Sequence, residues 1–155
     1  MDSLLSVLFG NKKPATYIYK ARNSVMTKRE DRFYRFLCKT FDQEYLIFPQ
    51  MHLDSIVNYS GEEKHSWGAF QHINRKSVDY VLCDKLTLQP ICAIELDDWT
   101  HTWRKRIQRD IEVERILAEA RMPLIRIKNP DKVDYDRFIE YVSNAKVTRV
   151  SDQSF

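Results

Sequence analysis

Apolar residues along the chain change period several times, and each change marks an element. Thr27-Lys28-Arg29-Glu30 has the Thr-x-x-Glu spacing of a capping box, and Phe33, Phe36, Leu37 and Phe41 follow at helical intervals, which predicts a first helix over 28–40. Residues 44–53 read as a strand rich in Leu, Ile and Phe, with Pro49 favouring a sheet edge or a bend because proline has no N–H for a central ladder. The turn cluster Ser60-Gly61-Glu62-Glu63 precedes Trp67, Phe70 and Ile73 at three-residue steps, as a short helix or a structured loop; such aromatics are expected in the core, and available for base stacking only if exposed. Two extended runs, 77–83 and 91–97, joined through Asp84 and Pro90, predict a hairpin. A second helix over 103–120, a short strand over 123–127 and a third helix over 134–145 complete the order: helix, three strands, helix, strand, helix. Residues 1–25 form a lead-in in which Tyr17–Lys20 offers a short edge strand; 26–146 form one domain, and 147–155 a polar tail.

Composition narrows this α/β reading only a little. A chain of 155 residues that is 43% apolar suits one domain with a real core, and a net charge of +3 is a mild pointer to a polyanionic partner. Cys38, Cys83 and Cys92 are odd in number and show neither zinc-knuckle nor Cys-x-x-Cys spacing, so they are expected as buried thiols in a reducing, cytoplasmic compartment. The first ten residues hold one short apolar run with no basic flank, far short of the roughly 20 residues that span a bilayer. No membrane association is expected.

Chemistry concentrates in the hairpin. Side chains alternate across a strand, so Ala93, Glu95 and Asp97 share one face, and Asp79 converges with them if the partner strand matches in register. Asp79 and Glu95 stand in otherwise apolar runs, where an uncompensated charge is costly. Like charges so placed either raise a carboxylate pKa or recruit a counter-cation, and a hard divalent ion such as Mg²⁺, with Mn²⁺ as substitute, is the natural one.

An Asp in one strand and a Glu-x-(Lys) in the next resembles the PD-(D/E)XK nuclease motif, with Asp97 where the lysine would stand. The longer run of Val78-Asp79-Tyr80, Ile94-Glu95-Leu96-Asp97-Asp98, His101, Arg109-Asp110 and Pro123-Leu-Ile-Arg126-Ile127 is similar to the branch related to very short patch repair endonucleases. Thr27 to Leu37, Phe48-Pro-Gln and Val78 to Ile127 resemble a bacterial domain of unknown function in the same superfamily. The resemblance implies a restriction-endonuclease-like fold, a central mixed sheet flanked by helices with an αβββαβ core. It also implies Asp79 and Glu95 as metal ligands, Asp97 as a further metal or water ligand, and cleavage of DNA phosphodiester bonds in repair or defence.

Several residues support that reading or have a plainer role. Glu30 lies on the apolar face of the first helix, either reaching the metal site or simply closing the capping box. Asp110 sits near the middle of the second helix's apolar arc, taken as Trp103, Ile107, Ile111, Val113, Leu117 and Ala118; it either pairs with Arg126 or supports the metal site. His101 or Lys76 would orient the nucleophile, Lys76 replacing the missing lysine. Arg104, Lys105, Arg106 and Arg109 crowd a helix start, against the helix dipole, and Arg75 and Lys76 precede the Asp79 strand, so both groups are candidate phosphate contacts. The alternatives to a nuclease are a nuclease-like nucleic-acid-binding module without turnover and a protein-interaction subunit of a defence or repair assembly; related enzymes often act as homodimers.

Overall fold

The computed structural model describes residues 17–59, 63–97 and 104–151. Helix α1 (Lys28–Phe41) begins at the capping box: Thr27 Oγ1 accepts the Glu30 N–H at 3.2 Å and Glu30 Oε2 accepts the Thr27 N–H at 2.6 Å. Its inward stripe is Phe33, Leu37 and Phe41, one contact per turn. Strand β1 (Tyr45–His52) follows, then a 3₁₀ turn (Leu53–Ser55), helix α2 (Glu63–Ile73), strands β2 (Ser77–Asp84) and β3 (Pro90–Leu96), helix α3 (Arg104–Glu119), strand β4 (Leu124–Ile127), a second 3₁₀ turn (Pro130–Lys132) and helix α4 (Tyr135–Ser151).

The four strands form one mixed sheet in the order β1-β2-β3-β4. β1 and β2 are antiparallel, as are β2 and β3, whereas β4 runs parallel to β3 because α3 carries the chain back across the sheet. Strand alternation divides the core in two. Tyr80, Leu82, Cys92 and Ile94 pack with Phe33 and Leu37 of α1 and Phe138 and Val142 of α4. Val81, Cys83 and Ala93 pack with Val113, Ile116 and Leu117 of α3. Helices therefore cover both faces, and β2 and β3, buried on both sides, are near-continuous apolar runs. Pro49 lies on edge strand β1, where its missing N–H costs no ladder bond.

Four expectations need correction. Tyr17–Lys20 is exposed and outside the sheet, so among the described residues the strand count is four and this segment adds no edge strand. Trp67 and Phe70 are not core: they stack on each other at 5.8 Å on the outside of α2, with Trp67 67% exposed. On α3 the buried stripe is Val113, Ile116 and Leu117, and Ile107 and Ile111 face outward. Helix α4 continues to Ser151, through residues assigned to a tail. Cys83 and Cys92 are buried free thiols and Cys38 a half-buried one. No described helix is long and apolar enough to cross a membrane.

Candidate functional site

The β2–β3 ladder stops short of the strand ends. Its last backbone pair toward the open end is Tyr80 opposite Ile94, and continuing that register puts Asp79 opposite Glu95. The Ala93 and Asp97 amides point to β4, donating to Pro123 and Ile127, so the Leu96 amide faces β2. There it meets a side chain: Leu96 N–H donates to Asp79 Oδ2 at 2.7 Å. A carboxylate has replaced a ladder carbonyl, which fixes one oxygen of Asp79.

The same level of the sheet is polar from edge to edge. Glu95 is in register with Arg126 on β4, and on β1 the pairing skips Gln50, which falls beside Asp79. Gln50 adopts φ 54°, a conformation few non-glycine residues take, and its Nε2 donates to Glu30 Oε1 at 3.1 Å. Tyr80 donates from its hydroxyl to the Glu30 carbonyl at 2.7 Å, pinning the first turn of α1 over the strand ends. The result is a cleft of about 580 Å³ walled by Thr27, Arg29 and Glu30, by Asp79, Glu95, Leu96 and Asp97, by Arg109 and Asp110 of α3, and by Arg126.

The charges of the described residues do not neutralise the central pair. Burial raises the Asp79 pKa above the usual carboxylate range, the Leu96 N–H opposes it, the Glu30 charge adds to it, and Arg109 and Arg29 pull it back. Glu95 is pushed up to about 8, by burial first and by the Asp79 charge second, against Arg109 and Arg126. The two carboxylates face one another with too little positive charge, the arrangement that a divalent cation relieves.

Asp97 is placed differently from expectation. Its Oδ1 accepts two Arg126 N–H bonds, at 2.8 and 2.5 Å, so its charge is matched by a guanidinium rather than presented to a metal. Arg126 also reaches Glu114 at 2.6 Å and Asp110 at 3.5 Å, which bears out the Asp110 ion pair and adds a partner. Burial alone would lower the Arg126 pKa, but bonds to Asp97 and Glu114 and the surrounding acids raise it. Lys76 is also displaced from its expected role: it donates to the His72 carbonyl and pairs with Glu112 at 3.1 Å, outside the acidic cleft. It has its own carboxylate, so it does not replace the motif lysine.

Glu30 closes the capping box and also walls the cleft, so its two readings coincide in one side chain. Arg109 reaches the Ser77 carbonyl at 3.1 Å and fronts both acids. Arg75 is exposed just after α2. Arg104, Lys105 and Arg106 open α3, with side chains outside the description, and His101 lies outside the described residues. Among the described residues no group of three or more His, Cys, Asp or Glu side chains forms a ready metal cage. The oxygen donors that fit a cation are the pair Asp79 and Glu95, leaving its remaining positions to water or substrate oxygens.

Arg29 and Glu114 are not singled out by the sequence, and Gln50 enters it only as the end of the Phe48-Pro-Gln resemblance. Arg29 donates to the Asp97 carbonyl at 2.6 Å. It did carry a signal, since a basic residue in the first turn of α1 runs against the helix dipole as the α3 cations do. Glu114 had none, because its partner is on another element.

Neither the curated proteins nor the solved structures contain a match to the chain. Residues 22–145, which span α1 through most of α4 and the whole acidic cleft, match the family described as protein of unknown function DUF2726, and the chain belongs to that family.

Proposed function

We propose that the chain is a divalent-metal-dependent nuclease of restriction-endonuclease-like fold that cleaves DNA phosphodiester bonds. The observation that carries this reading is the splayed end of β2 and β3, where Asp79 and Glu95 stand opposed and half-buried with one Asp79 oxygen tied to the Leu96 amide. A magnesium ion held by the two carboxylates would supply Lewis-acid stabilisation of the phosphoryl oxygens and activation of the attacking water. The chain's residues do the rest. The Leu96 N–H orients Asp79, Gln50 and Thr27 hold Glu30 at the rim, and the Asp97–Arg126 fork fixes the floor beside Glu95. Among the described residues, Arg29 and Arg109 are bound through backbone carbonyls, which leaves their charges available to a phosphate.

Calorimetry with Mg²⁺ and Mn²⁺, paired with nicking of supercoiled DNA, tests the proposal. Metal affinity should rise with pH through about 8, because Glu95 must release its proton to bind, and Asp79→Ala or Glu95→Ala should abolish both binding and nicking. Metal-dependent nicking retained in a clean double mutant would end the assignment.

A second reading, a nucleic-acid-binding module without turnover, is favoured by one observation: among the described residues the cations walling the cleft are arginines, Lys76 being paired with Glu112 outside it. It predicts DNA binding with steep salt dependence and no heat from either metal.

A further inference from the structure

Beside the acidic cleft, with Arg126 as a shared wall, a second cleft of about 670 Å³ runs along the end of β4 and the start of α4. Among the described side chains its charged lining is the reverse of its neighbour's: Lys128, Lys132 and Arg137 against Asp134. Asp134 Oδ1 accepts the Arg137 backbone N–H at 3.2 Å, so it serves the first turn of α4. Several cations elsewhere are matched with acids: Arg35 with Asp31, Lys76 with Glu112, Arg115 with Glu119, Lys146 with Glu44. Among the described side chains, Lys128, Lys132 and Arg137 have no carboxylate within ion-pair distance. Arg137 is held instead by an aromatic ring, its Nε donating to the Tyr141 hydroxyl at 3.1 Å and its guanidinium 5.4 Å from the ring centroid. That ring is 48% exposed.

We infer that this groove binds one strand of nucleic acid, with phosphates along Lys128, Lys132 and Arg137, a base stacked on Tyr141, and Arg126 marking where the strand passes into the acidic cleft. Two physical arguments carry it. In the acidic cleft Glu30, Asp79, Glu95, Asp97 and Asp110 outnumber Arg29, Arg109 and Arg126, so a polyanion gains from further anchoring charges outside it. Adjacent unpaired cations beside an exposed, pre-positioned aromatic ring combine counterion release with stacking, the pairing that single strands need. The direction of the strand rests on the nuclease reading; the binding does not.

The test uses the full chain, a chelator to prevent turnover, and fluorescence anisotropy of a labelled oligothymidine of about 20 nucleotides, long enough to cover one site. At 0.1 M salt, losing three phosphate contacts should weaken binding by about 100-fold and flatten the logarithmic salt slope by about 2, so Lys128→Ala/Lys132→Ala/Arg137→Ala is the deciding variant. Tyr141→Ala should cost about tenfold with the slope unchanged, because stacking releases no counterions. All four side chains are exposed, and an unchanged thermal midpoint checks the fold; should the triple variant fail that check, Lys132→Glu alone should still weaken binding about fivefold or more. Unchanged affinity and slope in a folded variant would overturn the inference. So would a silent Tyr141→Ala with heparin competing as well as DNA, which would mark a generic polyanion surface. Groove binding without nicking would sink the nuclease reading and leave the groove standing.

Discussion

The two ends of the β2–β3 hairpin each carry an aspartate on β2, and the two are treated in opposite ways. At the turn end, Asp84 Oδ1 accepts the Leu86 and Thr87 N–H groups and the Thr87 hydroxyl, each at 3.0 Å, and these bonds hold its pKa below the ordinary value. At the open end, Asp79 has one backbone N–H, is half-buried, and stands opposite Glu95, and its partial burial raises its pKa. Asp84 stabilises the fold through its charge. Asp79 and Glu95 are charged at the expense of the fold, and a site that retains such a pair gains from what the pair can bind.

The sharpest way to break this comparison is activity. Asp79→Asn should take metal-dependent nicking to background while Asp84→Asn leaves it near wild type, measured on supercoiled DNA; equal losses would mean both ends are structural.

Stability against pH separates the ends next. Glu95 has a folded pKa of about 8, above its unfolded value, so between roughly pH 4.5 and 8 the native state holds a proton that the unfolded state has released. Stability from this group falls as pH rises through that window. Glu95→Gln should therefore stabilise the metal-free protein at pH 9 by about 2–4 kcal/mol and much less at pH 5, read by denaturant unfolding. Asp84 has the opposite sign: its lowered pKa contributes stability above the unfolded value that is lost as pH falls through the folded one. Asp84→Asn should accordingly destabilise at pH 7 and progressively less toward pH 3.

Arg126 is the link between the acid pair and its surroundings. Arg126→Ala leaves Asp97, Asp110 and Glu114 uncompensated and should destabilise by about 1–2 kcal/mol at these part-exposed sites. It should also move the pH midpoint of metal binding upward, since Arg126 opposes the rise at Glu95. A purely structural arginine would change stability and leave that midpoint alone.

The smallest effect concerns Glu30. Glu30→Gln preserves the capping box, so stability should change by less than about 0.5 kcal/mol, while removing a negative charge beside the acid pair should weaken metal binding slightly, because a divalent cation loses more attraction than the reduced proton competition at Asp79 returns. Thr27→Ala should cost about 1 kcal/mol and leave metal affinity alone.

The sequence made the hairpin and its acids legible because both are local. Alternation sets which residues share a face, and an Asp or Glu in an apolar run declares its own cost. The capping box at Thr27 and Glu30 was readable for the same reason. Asp97 was misjudged because its role depends on Arg126, which is distant in sequence and arrives only through the parallel pairing of β3 and β4. The face of α3 was misjudged because apolar residues lie nearly all round that helix, so periodicity left Ile107 and Ile111 competing with Val113 and Ile116. Aromatic spacing on α2 was legible as a helix and not as an exposed pair, since spacing carries no information about what packs against it.

The most direct test of the central claim is anomalous diffraction from crystals soaked in Mn²⁺. The account predicts one manganese peak within about 2.1–2.2 Å of carboxylate oxygens from both Asp79 and Glu95, the range of hard-cation oxygen ligation, with Asp97 still bound to Arg126. A peak on Asp97 with the Arg126 fork broken, or none between well-ordered Asp79 and Glu95 side chains, would contradict it.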